Sequence, residues 1–186
     1  MRDQYKPFLT EGHKDEDAAA KAISDTIGGK VYRTPEKIDM ECHTDLFWET
    51  PKGELCSIDK KMRKRTSRHD NSYDDNATWV ELRDNAGFEG SAYCQAEKLR
   101  SQGYDISDEH DYMMFETKDS YLFVQRMRLE PFVWNLIDGK DVVFENPKET
   151  NIPYQRAKYG NLDLCVLVSF EDLEKIMQFK IKKNVD

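Results

Sequence analysis

The stretch HTDLFWETPKGELCSIDKKMRKR, residues 43–65, decides how this chain is read. Its two halves alternate like strands about a Thr-Pro-Lys-Gly turn, the pattern of a hairpin. Yet Asp45, Asp59 and Lys61 fall where a central hairpin would place apolar groups. In a strand, residues two apart share a face. Asp59 and Lys61 therefore point one way, while Cys56, Ile58 and Met62 point the other. Asp45 shares its face with His43 and Phe47, and hairpin pairing can carry it beside Asp59. Two carboxylates a few ångströms apart repel, and one is driven to protonate unless a cation lies between them. Mg²⁺ accepts one or two carboxylates and completes its shell with water and phosphate oxygens. Such an ion lowers the pKa of bound water and stabilises charge at phosphorus, and Lys61 can orient the attacking water or offset the developing charge.

The hairpin runs into KKMRKRTSR, residues 60–68, which holds six of the 28 basic residues and no acidic one. The rest of the chain has 22 basic residues against 36 acidic, so an acidic body carries one basic strip. The net charge of -8 speaks against a generally sticky polyanion binder, but the strip suggests a local anion site. Arg63, Lys64, Arg65 and Arg68 would grip a phosphate backbone without reading bases. The alternatives for this strip are a solvated face or a localisation-like basic run.

Outward from the hairpin, DEDAAAKAISDTIGG reads as a first helix, with acidic residues at its start and Gly28-Gly29 as its stop. A strand is expected near 30–33, then one over 40–49 and one over 54–62. RTSRHDNSYDDNA has a loop composition. ATWVELRD reads as a strand, GFEGSAY as a turn into another, and QAEKLRSQG as a short helix. DYMMFETKDSYLFVQRM is a second hairpin turning at TKDS. LEPFVWNLI is a helix with Pro131 near its first turn. NPKETNIPYQRAKYGN is a connecting loop, LDLCVLVSF the most apolar strand, and SFEDLEKIMQFKI a closing helix capped by Ser169 with Asp172 three residues on. This order describes a mixed α/β domain on one central sheet.

At 186 residues the chain is one domain, with a core over about 13–130 and a strand–helix extension over about 131–186. It contains no apolar run of membrane-span length and no signal-peptide segment, so a cytoplasmic location with no membrane partner is expected. Cys42, Cys56, Cys94 and Cys165 form no CxxC pair, which disfavours a zinc ribbon and a secreted disulfide framework.

Thr44-Asp45 followed by Leu55-Cys56-Ser57-Ile58-Asp59-Lys60-Lys61 resembles the PD-(D/E)xK nuclease superfamily, with Thr44 in place of the motif proline. The match covers about residues 13–65, and the later strands look like those of small phage-type or Holliday-junction-resolvase-like members. The resemblance implies a restriction-endonuclease-like fold, a central mixed sheet flanked by helices with the catalytic hairpin at its centre. It implies a Mg²⁺-dependent DNA endonuclease, with Mn²⁺ as a substitute. Asp45, Asp59 and the Lys60 backbone carbonyl would hold the metal, Lys61 would assist the attacking water, and Glu16 would come from the N-terminal helix. DNA is the implied partner, and a homodimer is compatible with cutting two strands.

A rival triplet, Glu116-Thr117-Lys118, reads instead as a turn, because Lys118 falls in it and no separate strand supplies a partner acid. An ordinary cross-strand ion pair is the bland alternative for Asp59 and Lys61, and helix-dipole service the bland alternative for Glu16. His43 reads as structural or as a minor group beside the site, Glu81 as a charged strand residue that could reach the site from the next strand, and Tyr93 and Gln95 as residues that could line a substrate path. Two further functions compete: a non-catalytic nucleic-acid-binding or regulatory module on the same scaffold, and a protein-interaction domain working through its acidic surface.

Overall fold

A computed structural model describes residues 6–64, 66, 72–83, 89–144, 147, 149–158 and 161–183. The chain forms α1 (Lys6–Ile27), β1 (Lys30–Arg33), α2 (Glu36–Cys42), β2 (Leu46–Glu49), β3 (Leu55–Lys61), β4 (Ala77–Arg83) and α3 (Ala96–Ser101). A 3₁₀ turn at Asp108–His110 leads into β5 (Asp111–Glu116), β6 (Ser120–Gln125), α4 (Arg126–Leu136), β7 (Pro153–Lys158), β8 (Asn161–Ser169), α5 (Phe170–Glu174) and β9 (Phe179–Lys182). This is a mixed α/β architecture. A six-stranded sheet runs β1-β2-β3-β5-β6-β9, and a three-stranded sheet runs β4-β8-β7. All neighbours in the larger sheet are antiparallel except β3 and β5, which run parallel. A parallel pair requires a crossover, and here the chain leaves the sheet through β4 and α3 before returning as β5.

Alternation along the strands sorts the core. Leu46, Trp48, Cys56, Ile58, Tyr112, Met114 and Phe123 meet Ala19, Ala22 and Ile23 of α1. On the opposite face, Phe47 packs with Ile38 and Cys42 of α2 and with Ala96 and Leu99 of α3. Farther along that face, Met113, Phe115, Leu122 and Val124 pack against Leu129 and Val133 of α4 and against Val80, Leu82, Val166 and Val168 of the smaller sheet. Segment 131–186, expected as an extension, thus contributes β7 and β8 to one sheet and the edge strand β9 to the other. Among the described residues, no helix is long and apolar enough to cross a membrane.

The hairpin forms as its sequence dictates. β2 pairs β3 with Leu46 opposite Ile58 and Glu49 opposite Leu55. The turn closes through Thr50 N–H to Glu54 O (2.8 Å) and Gly53 N–H to Thr50 O (2.9 Å), with Gly53 at φ 84°. α1 ends where predicted, because Gly29 adopts φ 88° and a Cβ there would lie 2.2 Å from the Glu49 carbonyl oxygen.

Several expectations need correction. α1 begins at Lys6 rather than in the acidic cluster at 15–17. Residues 40–42 are not strand: Pro35 opens α2, whose Ile38 and Cys42 are buried one helical turn apart, and β2 starts only at Leu46. α4 starts at Arg126, so Pro131 lies inside it rather than in its first turn. The loop expected before β8 contains β7, and the closing helix stops at Glu174, giving way to β9. The predicted cap holds, with Ser169 Oγ accepting from Asp172 N–H at 3.0 Å. Part of GFEGSAY lies outside the described residues, and what is described forms a single bridge, Arg83 to Glu89.

Candidate active site

Asp45 immediately precedes β2, and its backbone joins both neighbouring strands. It donates N–H to Ile58 O (2.9 Å) and accepts at its carbonyl from Thr34 N–H (3.0 Å). Its side chain turns back over β3, where Oδ2 accepts the Lys60 N–H at 2.6 Å. Asp59 lies on β3 with 3% of its surface exposed. The structure therefore brings both carboxylates onto one face at the open end of the hairpin. Their mutual influence is felt at Asp45, whose carboxyl is pushed up to about 7 by burial first and by the Asp59 charge second. The Lys60 N–H and Lys61 pull in the opposite direction and are outweighed.

Lys61 Nζ lies 2.8 Å from Asp59 Oδ2, joining two residues the sequence had placed on one face. A second cation was not foreseen. Arg126, the first residue of α4, is fully buried and puts Nη2 3.3 Å from the same oxygen. Neither approach has hydrogen-bond directionality, so Asp59 Oδ2 is a buried oxygen without a hydrogen bond. Arg126 escaped sequence reasoning because arginine is almost never fully buried unless paired, and nothing local announced the pairing.

Asp39 was also missed. It lies on α2, in residues read as the approach to a strand, and lines the same cleft as Asp45. Burial first and the Asp59 charge second raise its pKa, and the neighbouring Asp45 and Lys61 offset part of that shift. The helical period of Ile38 and Cys42 was the available signal. Asp39, Asp45, Glu36 and Glu16 line one cleft of about 530 Å³ together with Arg33 and Thr34. Glu16 thus reaches the cleft that Asp45 lines, but its Oε2 is held 3.1 Å from Arg33 Nε. His43, at φ 46°, closes α2 in the left-handed region. Burial depresses its imidazole pKa, the Asp59 charge works against that shift, and the nearby Lys61, Arg126 and Lys98 charges reinforce it.

The basic strip is less free than its composition suggests. Arg63 pairs with Asp75 and lies over the Tyr73 ring, 4.6 Å from its centroid. Lys64 pairs with Asp74 at 3.2 Å and lies 4.7 Å from the Trp79 centroid. Arg65 and Arg68 lie outside the described residues. Lys60 turns its side chain to the α1 face, where it is 2% exposed and pairs with Glu116 at 3.0 Å. Lys183 holds the other Glu116 oxygen at 2.6 Å. Glu116 is therefore the counter-ion of a buried lysine, and Thr117–Asp119 turn the chain into β6.

A divalent cation can be tested against this donor set. A buried Asp59 oxygen that makes no hydrogen bond, a neighbouring carboxyl reluctant to ionise and an adjoining cleft suit an ion that takes two carboxylates and fills its shell with water, provided that the ion replaces Lys61 at that oxygen. They do not suit an all-protein cage. Among the described residues, no group of three or more His, Cys, Asp or Glu side chains is arranged to hold a metal. Compared with known protein families and with curated proteins, the chain matches none.

Proposed function

We propose that this protein is a metal-dependent deoxyribonuclease that hydrolyses phosphodiester bonds of DNA endonucleolytically, on a restriction-endonuclease-like sheet. One observation carries the reading: Asp45 and Asp59 converge on one face of the hairpin, Lys61 touches Asp59, and burial, reinforced by the Asp59 charge, raises the Asp45 carboxyl to about 7. The position of that hairpin inside a mixed sheet flanked by helices supports it.

Asp45 and Asp59, with the Lys60 backbone carbonyl, would hold Mg²⁺, or Mn²⁺ in its place. When bound, the ion would supply an acidified water and offset charge at the phosphorus. Lys61 would turn its ammonium from Asp59 toward the attacking water, holding it in line with the scissile bond. Glu16 would act only after release from Arg33, so its part is the smallest. Arg63 and Lys64 would contact phosphate by exchanging Asp75 and Asp74 for it, and a second copy would serve the opposite strand.

A second reading, a non-catalytic nucleic-acid-binding or regulatory module, draws on the two cations already facing Asp59. The separating experiment incubates the protein with plasmid, single-stranded and branched DNA in Mg²⁺, Mn²⁺ or chelator. Cleavage that requires metal, and that falls roughly 100-fold or more in Lys61→Ala, is expected for a lost proton-transfer or water-orienting group. Parent protein that binds DNA but leaves every substrate intact would sink the nuclease reading in favour of the second.

A further inference from the structure

Arg126 is buried completely, at the junction of four segments that are distant in sequence. Its Nη2 donates to the His43 carbonyl and lies 3.3 Å from Asp59 Oδ2. Its Nη1 donates to the Tyr93 carbonyl at 3.4 Å, and its Nε lies 3.6 Å from Asp111 Oδ1. Asp111, also fully buried, is fixed in turn by the Ser57 hydroxyl at 2.7 Å and by the Gln95 N–H. A guanidinium thus lies between two carboxylates on neighbouring parallel strands, and one of those carboxylates belongs to the candidate site.

We propose that Arg126 is a positioning residue for the carboxylate pair, an inference that rests on the nuclease reading. It acts on both acids. It reaches Asp59 directly, drawing that carboxylate toward its charge at 3.3 Å. It reaches Asp45 through the backbone, because the His43 carbonyl it grips lies two residues earlier. His43 adopts φ 46°, a conformation disfavoured for a residue with a Cβ, and the grip on its carbonyl helps hold it there. A planar guanidinium can donate to two carbonyls while its charge lies between two carboxylates, a reach that a point-like ammonium does not have. Stability alone does not call for this arrangement. Burying three charges carries a desolvation penalty that well-packed apolar side chains of similar volume would avoid.

The test uses the full chain with Arg126→Met and Arg126→Lys. Mn²⁺ binding is titrated without DNA by the spin-resonance signal of the free ion. Hydrogen exchange is followed at the Lys60 amide, which Asp45 accepts, and at 43–45. Cleavage is resolved into kcat and KM. Groups that orient metal ligands typically contribute 10–100-fold, so Arg126→Met is expected to weaken Mn²⁺ binding by about that factor. It should lower kcat with KM for DNA unchanged, and Arg126→Lys should recover part of the loss. Parental Mn²⁺ affinity and kcat in a folded Arg126→Met, whatever its melting temperature, would overturn the proposal. Should Arg126→Met fail to fold, the same readouts on Arg126→Lys decide it. A parent that neither binds Mn²⁺ nor cleaves DNA defeats the nuclease reading alone. Positioning is then judged by exchange: faster exchange at Lys60 and 43–45 with β6 unchanged supports it, and unchanged exchange refutes it.

Discussion

Replacing Asp45 with asparagine should make the protein more stable at alkaline pH while removing its activity. An unfolded chain releases the Asp45 proton near 3.8, whereas the folded chain keeps it to about 7. Between those values the folded form carries the extra proton, so stability falls as pH rises, and above about 7 the loss is complete. A gap of about three pH units corresponds to at most about 4 kcal/mol. Asparagine retains an acceptor for the Lys60 N–H and cannot ionise beside Asp59 and Asp39. We expect Asp45→Asn to gain about 2–4 kcal/mol over the parent at pH 8, roughly 5–15 °C in melting temperature for a chain of this size. At pH 4, close to the unfolded value, little of that loss has accrued and the two should agree within about 1 kcal/mol. Urea unfolding at both values reads this directly. Mg²⁺ at a hundredfold excess over its dissociation constant should stabilise the parent by about 2.7 kcal/mol at pH 8 and leave the variant unchanged. A variant no more stable than the parent at pH 8 would refute the raised Asp45 pKa, and with it the burial and the Asp59 charge that raise it.

Three further substitutions test the surrounding frame. Glu116→Gln leaves Lys60 buried without its counter-ion and should cost about 2–3 kcal/mol in urea unfolding at neutral pH. Burial raises the Glu116 pKa, but the Lys60 and Lys183 charges outweigh it and hold the folded value below the ordinary one. The contribution is therefore present at neutral pH and disappears as acid protonates the folded carboxylate, where parent and variant should converge. Gly29→Ala forces a Cβ to 2.2 Å from the Glu49 oxygen and should cost about 2–4 kcal/mol by thermal unfolding. Gly53→Ala, with similar φ but open space around it, should cost only about 1 kcal/mol.

The hairpin was legible because its information is local. Alternation, a Pro-Lys-Gly turn and charges on one face were enough to place Asp45 beside Asp59 and Lys61 on Asp59. Wherever meaning depended on a distant partner, the reading thinned. Arg126 looks like one of several charged residues in VQRMRLE, and only the parallel pairing of β3 with β5 gives it two acids. Lys64 and Arg63 counted as free charge because Asp74 and Asp75 were read as loop composition rather than as their counter-ions. α2 was lost for another reason. Met40, Cys42 and Thr44 imitate strand alternation, while Ile38 and Cys42 one turn apart reveal the helix only when read with Pro35. Glu16 was read onto the apolar face of its helix, but its ion pair with Arg33 depends on β1 lying against α1.

The crossover between β3 and β5 has a kinetic consequence. Asp45 and Asp59 are fourteen residues apart and belong to a hairpin that can close early, since short loops form fastest. Arg126 and Asp111 arrive only after more than fifty residues have been looped out and the parallel pair has zipped. Until then the hairpin holds two acids with Lys61 alone for company. The full set of charges around the carboxylate pair is therefore expected to assemble after the hairpin itself. A partly folded chain would carry the hairpin without Arg126 and Asp111 beside its carboxylates.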